Sequence, residues 1–311
     1  MTTPKERAVA ALSLKQPDEV PTFELVFFAT EEAFGEEFKP TDEWDDLSAR
    51  ERELLSEHNA RLYVEIAERY NYSIIFLSRA HTAESRIAIG KKIREMTGDT
   101  YMLVVHGDAT YSIPDGNTME EFFVNLFEKK EEMIERASDM VTQALEHNAI
   151  YIDNGIDGFA LCADYCYNSG PFLSPPMFRE FVTQHLQRLV ASYKDMGAWV
   201  IKHTDGNIMP VLDQLVECEP HALHSLDPMA GVDIAEVKRL AGDKVCLMGN
   251  VDCSKLQTGT EDDVIASAEY AIKSGKPGGG YFFCTSNCVF PGLPLGRYEL
   301  MMSVYEKLKK Y

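Results

Sequence analysis

Short apolar segments of strand length alternate with longer amphipathic segments along almost the whole chain. Unbroken apolar runs such as residues 73–77 predict strands that are buried on both faces. A stretch with helical spacing follows each run, and this alternation is typical of parallel strands joined by helical crossovers. The predicted strands lie at residues 23–28, 73–77, 101–105, 158–162, 198–201, 221–226, 245–248 and 281–283.

Eight such units in 311 residues favour an α/β fold of the (β/α)₈ TIM-barrel class, with residues 1–311 forming one domain. A doubly wound open sheet is the alternative. Such sheets usually carry a Gly-rich phosphate-binding turn after the first strand. Here that turn, residues 27–34, reads FFATEEAF, and the chain contains no GxGxxG or Walker motif. The closed barrel is therefore the predicted architecture.

The charge of the chain narrows the classes of partner. Lys and Arg number 30 against 50 Asp and Glu, so the formal net charge is −20. Binding to nucleic acid or to an anionic membrane surface needs a basic face, and we therefore expect neither partner. No apolar run reaches the length of about 18 residues that a membrane span requires. The chain begins with a capped helix at Thr3, Pro4 and Glu6 rather than a signal peptide, which predicts a cytoplasmic protein.

Cysteine usage also favours a cytoplasmic protein. The seven cysteines are odd in number and all lie between Cys162 and Cys288, which makes a poor disulfide framework. We expect reduced core thiols, some of which could be metal ligands.

Polar and ionisable residues cluster after the predicted strands. In a (β/α)₈ barrel the active site lies at the carboxyl ends of the strands, so these residues are expected to share one rim. Each alone could be an ordinary cap, but together they predict an active site. The rim residues are Glu24, Arg79, His81, His106, Asp108, Asp164, Tyr165, His203, Asp205, Asp227, Asn250, Asp252, Cys284 and Cys288.

Four rim residues suggest a metal site. His203 and Asp205 stand two residues apart after the fifth strand, Asp227 follows the sixth, and Cys288 or Cys284 follows the eighth. An imidazole, carboxylates and a thiolate make a plausible open zinc site that could act as a Lewis acid. The alternative is a hydrogen-bonded polar cluster with core cysteines. His203 and Asp205 are also the predicted catalytic residues.

The remaining rim residues are candidates for substrate binding. Asp164, Tyr165 and Asn250 could donate or accept hydrogen bonds in a pocket, or could satisfy backbone groups at the rim. Arg79 and His81 could hold a substrate carboxylate by charge-assisted hydrogen bonds, or could form surface salt bridges.

At these residues the chain resembles the uroporphyrinogen decarboxylase superfamily, and in particular its corrinoid-dependent methyltransferase branch. The segment PKERAVAALSLKQPDEVP resembles the family's N-terminal helix, and SGPFLSPPMFREFV its "GPLISPEMFREF" element. VIKHTDGNIMPVLDQL falls on the "HxCGN" segment. HSLDPMAGVDIAEVK, VCLMGNVD and GGGYFFCTSNC complete the order. The resemblance covers nearly the whole chain and implies a (β/α)₈ barrel.

The resemblance also implies a chemistry. Methyltransferases of this branch bind zinc through a His-x-Cys pair and a later Cys, which fall on His203, Asp205 and Cys288. Asp205 departs from the family cysteine, and a carboxylate makes a harder, more electrophilic site than a thiolate. Such a site suits an ether oxygen better than a thiol. The resemblance therefore points to an O-demethylase component that moves methyl from an aryl methyl ether to cob(I)alamin.

The corrinoid is expected on a separate partner protein, because the corrinoid-binding signature D-x-H-x-x-G is absent from this chain. Two alternatives stay open. One is a metal-free decarboxylase of a small acid. True porphyrinogen decarboxylases carry an Arg-rich N-terminal element, however, and residues 23–38 here are acidic and contain no Arg. The other is a non-catalytic, corrinoid-binding relative that kept the fold.

Overall fold

The computed structural model describes residues 2–311, and its centre is a seven-stranded parallel sheet. The strands follow in the order β1-β2-β3-β6-β7-β8-β9. Neighbouring strands of this sheet therefore follow one another along the chain, apart from the insertion of β4 and β5. A two-stranded antiparallel hairpin, β4-β5, lies outside the sheet. The strands are β1 (Ile74–Phe76), β2 (Met102–His106), β3 (Gly158–Leu161), β4 (Cys166–Tyr167), β5 (Gly170–Pro171), β6 (Trp199–Thr204), β7 (Ala222–Ser225), β8 (Cys246–Met248) and β9 (Tyr281–Phe282).

The two edges of this sheet are joined through Thr22. Thr22 forms parallel bridges to Tyr72, just before β1, and to Phe283, just after β9. Its carbonyl accepts from Ser73 N at 2.8 Å, and the Pro21 carbonyl accepts from Phe283 N at 3.0 Å. The sheet therefore closes into a barrel, as the sequence predicts.

The prediction of a continuous first strand at residues 23–28 was wrong, because this part of the chain forms only isolated bridges. The next donor in register with Phe283 is the Thr285 N–H, and Oε1 of the Glu24 carboxyl group accepts it at 3.0 Å. A side chain thus replaces the backbone acceptor that would extend the ladder. Phe27 bridges Val289 further along. The seven other predicted strands are all present, each within a few residues of its predicted bounds.

Helices surround the barrel, and several of them begin at a side-chain cap. Thr3 and Glu6 form the predicted capping box of α1, and Ser48 and Glu51 form another at the start of α3. The helices are α1 (Pro4–Leu12), α2 (Thr30–Phe34), α3 (Ala49–Arg69), α4 (Ala83–Thr97), α5 (Met119–Glu128), α6 (Lys130–Asp153), α7 (Pro175–Phe178), α8 (Gln184–Asp195), α9 (Leu212–Glu217), α10 (Ile234–Ala241), α11 (Cys253–Thr258), α12 (Glu261–Gly275) and α13 (Leu295–Leu308).

The apolar core has two parts. A larger cluster, including Val200, packs between the strands and the helices, and a smaller one, including Ile201, fills the barrel interior. Because strand side chains alternate between faces, His203 lies on the same face of β6 as Ile201. The strand therefore directs this imidazole to the interior side of the rim.

The structure also shows the state of the cysteines and the hydropathy of the helices. All seven cysteines are unpaired, and five of them are buried. None of the helices that the structure describes combines the length and the hydropathy that a membrane span requires.

Candidate metal centre at the barrel rim

Three side chains converge where β3 and β6 end. The two strands pair in parallel, with Leu161 opposite Lys202, so their carboxyl ends are adjacent. His203 lies near the end of β6, Asp205 follows that strand, and Asp164 lies three residues after β3. The neighbouring loops therefore bring these three side chains to one point of the rim.

The ligand atoms of this group are close enough to share one ion. His203 Nε2 lies 3.8 Å from Asp164 Oδ1 and 3.7 Å from Asp205 Oδ1. One ligand atom from each of the three residues lies within 4.8 Å of the other two. The Asp164 side chain is 45% exposed, so the group is open to the barrel mouth on that side.

The hydrogen bonds around Asp205 leave one of its oxygens without a partner. Asn287 Nδ2 donates to Asp205 Oδ2 at 2.5 Å, and the Asp205 N–H donates to Asp164 Oδ1 at 3.0 Å. Asp205 Oδ1 is buried and makes no hydrogen bond. A buried carboxylate oxygen without a donor is costly unless a cation neutralises it. The residues present therefore fit a bound metal ion.

The electrostatics of the group agree with this assignment. Burial and, to a smaller extent, the neighbouring Asp164 carboxylate raise the pKa of Asp205 to about 7. Burial lowers the pKa of His203 to about 3, and Lys202 contributes in the same direction. The His203 imidazole is therefore neutral, which is the form that binds metals. Because it carries no positive charge, it does not neutralise the Asp205 carboxylate beside it.

Two predicted ligands lie outside this group. The Asp227 carboxylate caps the 3₁₀ turn at residues 228–230, where its Oδ1 accepts from Met229 N at 2.9 Å. Cys288 is partly buried, and burial raises the pKa of its thiol to about 12, which keeps it protonated. Asp164, predicted as a substrate contact, lies with His203 and Asp205 in this group.

The other predicted substrate contacts have different surroundings. The Tyr165 side chain is fully buried, its hydroxyl contacts Thr110 and its ring lies 4.0 Å from Lys202 Nζ. Asn250 is also buried, and its Nδ2 donates to Leu226 O at 2.8 Å.

The two basic candidates differ in whether their charge is already paired. The Arg79 guanidinium lies over the Phe28 ring at 4.7 Å, and within residues 2–311 no carboxylate lies within ion-pair distance of it. His81 Nδ1 already faces Asp42 at 3.3 Å and the Thr41 hydroxyl at 3.1 Å. Arg79 is therefore the better placed of the two to receive a substrate carboxylate.

Sequence reasoning missed three residues that form hydrogen bonds to the site or to its loops, namely Lys202, His224 and Asn287. Lys202 looks like an ordinary residue in a strand and Asn287 like a loop residue. His224 carried a usable signal, because β6 and β7 are adjacent parallel strands and each bears a His near its end. His203 and His224 are indeed in register.

Comparison with known proteins places the chain in a family. Residues 109–308, more than half of the chain, match the uroporphyrinogen decarboxylase (URO-D) family. A uroporphyrinogen decarboxylase from Thioalkalivibrio sulfidiphilus is 31% identical over 134 residues, which cover 40% of this chain and 35% of that protein. Another from Shewanella halifaxensis is 25% identical over 244 residues, which cover 70% of this chain and 62% of that protein. The chain thus spans less than two thirds of the length of either curated relative.

Among solved structures, a methyltransferase from Methanosarcina mazei superposes with a TM-score of 0.74 at 20% identity. The superposition covers 99% of both chains, so the two proteins share the fold throughout. The match over residues 109–308, which is more than half of the chain, identifies this barrel protein as a member of the uroporphyrinogen decarboxylase family.

Proposed function

We propose that this protein is a zinc-dependent methyltransferase that moves a methyl group from a small methylated donor to the cob(I)alamin of a separate corrinoid protein. The donor we propose is an aryl methyl ether. The observation that carries the proposal is the convergence of Asp164, His203 and Asp205 at an open point of the rim, with Asp205 Oδ1 buried and unpartnered. The shared fold with a protein named methyltransferase supports it.

The donor set favours oxygen chemistry. Asp164, His203 and Asp205 offer two carboxylate oxygens and one imidazole nitrogen, all of which are established zinc ligands. When bound there, zinc would act as a Lewis acid on the leaving oxygen of the donor. A set without thiolate is harder and more electrophilic than the thiolate-rich sites that activate thiols. This is the basis for proposing an ether rather than a thiol as the reacting group.

The residues of this chain have separate parts in the proposed reaction. His203 is neutral in its buried position and presents Nε2 to the two carboxylates. Asn287 keeps the Asp205 carboxylate from rotating by holding Oδ2. Asp164 is half exposed, which leaves the mouth side of the group open for a substrate atom. The free guanidinium of Arg79 would orient a donor that carries a carboxylate.

A partner that brings the methyl acceptor must reach the barrel mouth. Three exposed apolar side chains lie on segments at or beyond the carboxyl ends of the strands: Phe28 at the end of residues 23–28, Tyr167 in the β4-β5 hairpin after β3, and Met229 in the 3₁₀ turn after β7. Aromatic residues and methionine are enriched in protein interfaces. We propose that these residues contribute to a transient contact of modest area with the corrinoid protein.

A second candidate is a decarboxylase, the activity for which the curated relatives are named. Here we propose that it would act on a small acid without metal. In that case His203 and Arg79 would bind the carboxylate. The acidic segment at residues 23–38 contains no Arg and is unsuited to a substrate with many carboxylates.

The test is the metal content of the purified protein together with methyl transfer from methoxylated aromatics to cob(I)alamin. We expect about one zinc per chain. His203→Ala and Asp205→Ala should lose both metal and transfer, whereas Asp233→Asn, which keeps the N-cap of α10, should retain both. Wild-type protein without metal, or zinc-loaded protein without transfer from any methyl ether, would refute the proposal. Turnover of a small acid by metal-free protein would establish the decarboxylase.

A further inference from the structure

A chain of hydrogen bonds runs from His203 into the barrel wall. His203 Nδ1 lies 2.8 Å from His224 Nδ1, and His224 Nε2 lies 3.3 Å from the Thr285 carbonyl oxygen. Both rings are buried, at 6% and 2% exposure, so water does not take the place of these partners. Nε2 of His203 remains on the opposite side, facing Asp164 and Asp205.

The partners decide where each proton resides. A carbonyl oxygen only accepts, so His224 Nε2 carries a hydrogen and donates to Thr285. In a neutral ring the other nitrogen, His224 Nδ1, is then an acceptor. His203 Nδ1 must therefore be the donor in the 2.8 Å contact. A neutral His203 is left with a bare Nε2 lone pair directed at the two carboxylates.

From this geometry we infer that His224 is a positioning residue that holds His203 in the Nδ1–H tautomer, with Nε2 free to bind a metal ion. The inference concerns the site of the proposed function and rests on it for its purpose. The tautomer itself is a property of the metal-free protein. Outer residues that donate to or accept from a ligating histidine commonly set its tautomer and strengthen its binding.

The carbonyl that begins this chain is itself held in place. Glu24 accepts from the Thr285 N–H at 3.0 Å and from the Thr285 hydroxyl at 2.5 Å. Phe23 packs edge-on against the His224 ring, with the centroids 5.6 Å apart. The first segment of the barrel thus fixes Thr285, Thr285 orients His224, and His224 orients His203. This arrangement gives a role to a buried histidine that lies beside the three candidate ligands.

The direct test is the tautomeric state of His203 in the metal-free wild type. The measurement is ¹⁵N NMR of protein labelled in the rings of its eight histidines. The signals of His203 are those that disappear in a His203→Gln variant. We expect a protonated Nδ1 and a bare Nε2. A protonated Nε2, or a doubly protonated ring at neutral pH, would overturn the inference.

Zinc affinity supplies a second readout. His224→Leu removes the acceptor and should weaken binding about 10- to 100-fold. His224→Asn retains an acceptor oxygen and should stay within about threefold of wild type. The control is His221→Leu, which disrupts the hydrogen bond from Val200 N at the other end of the barrel and should leave zinc affinity unchanged.

The outcomes separate the two proposals. Equal weakening by His224→Leu and His221→Leu, or failure of His224→Asn to restore binding, would contradict the positioning role. If the wild type binds no zinc, the proposed function fails, while the tautomer measured by NMR still decides the inference about His224.

Discussion

Lys202 Nζ donates to Asp108 Oδ2 at 2.8 Å, and the lysine side chain is fully buried. Its two other hydrogen bonds go to the carbonyls of Leu161 and Ala163, at 3.2 and 2.8 Å. Asp108 Oδ2 in turn accepts from Ala163 N at 2.8 Å. The ion pair therefore holds both backbone groups of the residue that precedes Asp164. A charge pair behind the rim thus fixes the loop that carries one of the three metal-binding candidates.

Breaking this pair should be costly. Lys202→Met leaves the Asp108 carboxylate buried without its cation, and we expect it to lower the free energy of unfolding by about 3–5 kcal/mol. Urea unfolding measures the loss. The double variant Lys202→Met/Asp108→Asn should recover part of it, because no unpaired charge remains. Lys194→Met, at a half-exposed pair with Glu219, is the control and should cost less than about 1 kcal/mol. Similar losses for both lysines would show that the pair is not held as described.

Removal of the Asn287 amide should loosen Asp205. Without the donor to Oδ2, the carboxylate can rotate, and we expect Asn287→Ala to weaken zinc binding about 10- to 100-fold. Competition with a chromophoric chelator measures the affinity. Asn154→Ala, at the C-terminus of α6 before the amino end of β3, is the matched control. Unchanged affinity in Asn287→Ala would mean that Asp205 does not depend on this hydrogen bond.

Gly206 is a position where the backbone itself excludes a side chain. Its φ is +82°, and a Cβ there would lie 2.2 Å from the Cys166 carbonyl oxygen. Gly206→Ala must therefore displace the β4 hairpin or Asp205. We expect a stability loss larger than that of Gly35→Ala, which has a φ of +71° and nothing within 4 Å of the added Cβ.

The comparison separates strain from collision. Gly35→Ala should cost about 1–2 kcal/mol from its left-handed backbone alone and leave zinc affinity intact. Gly206→Ala should lower both stability and zinc affinity, as seen by thermal unfolding and metal titration. Equal effects of the two substitutions would argue against a close approach at Gly206.

Glu24 should make stability depend on pH. Burial raises its pKa from 4.5 to about 8, so the folded protein keeps a proton that the unfolded chain releases between these values. The stability that this proton contributes is complete below about pH 4.5 and is lost as pH rises through 8. The slope is at most about 1.4 kcal/mol per pH unit.

Chemical unfolding at a series of pH values from 5 to 8 measures this slope. Glu24→Gln cannot titrate and should have a smaller decline than wild type over this range. Glu236→Gln, at an exposed residue paired with Arg239, should follow the wild-type curve. A Glu24→Gln curve parallel to wild type would show that Glu24 is ionised in the folded protein.

Arg79 should discriminate among donors if the proposed function holds. Arg79→Gln removes a free guanidinium near Phe28, and we expect the KM for a methoxybenzoate to rise roughly 10- to 100-fold. The KM for a neutral methoxyphenol, which has no carboxylate, should change little. Equal changes for both donors would remove Arg79 from substrate binding.

Much of the fold could be predicted from local pattern. Unbroken apolar runs, helical spacing and the cap residues Thr3 and Glu6 are local signals, so the strands, the capping box and the (β/α)₈ class could be predicted from them. The first strand was the exception. Its pairing depends on Glu24 taking the Thr285 N–H, which is a contact between residues 261 positions apart.

The sequence alone determined that His203 and Asp205 lie at the carboxyl-end rim, because their place after an apolar strand is a local property. Only the tertiary structure decided which third side chain joins them. Asp164 reaches the group because β3 pairs with β6, whereas the carboxylate of Asp227 is occupied by its own helical turn. Likewise, the surroundings of Lys202, His224 and Asn287 come from other strands and loops. Spacing along the chain carries no record of such distances, since folding brings together residues that are far apart in sequence.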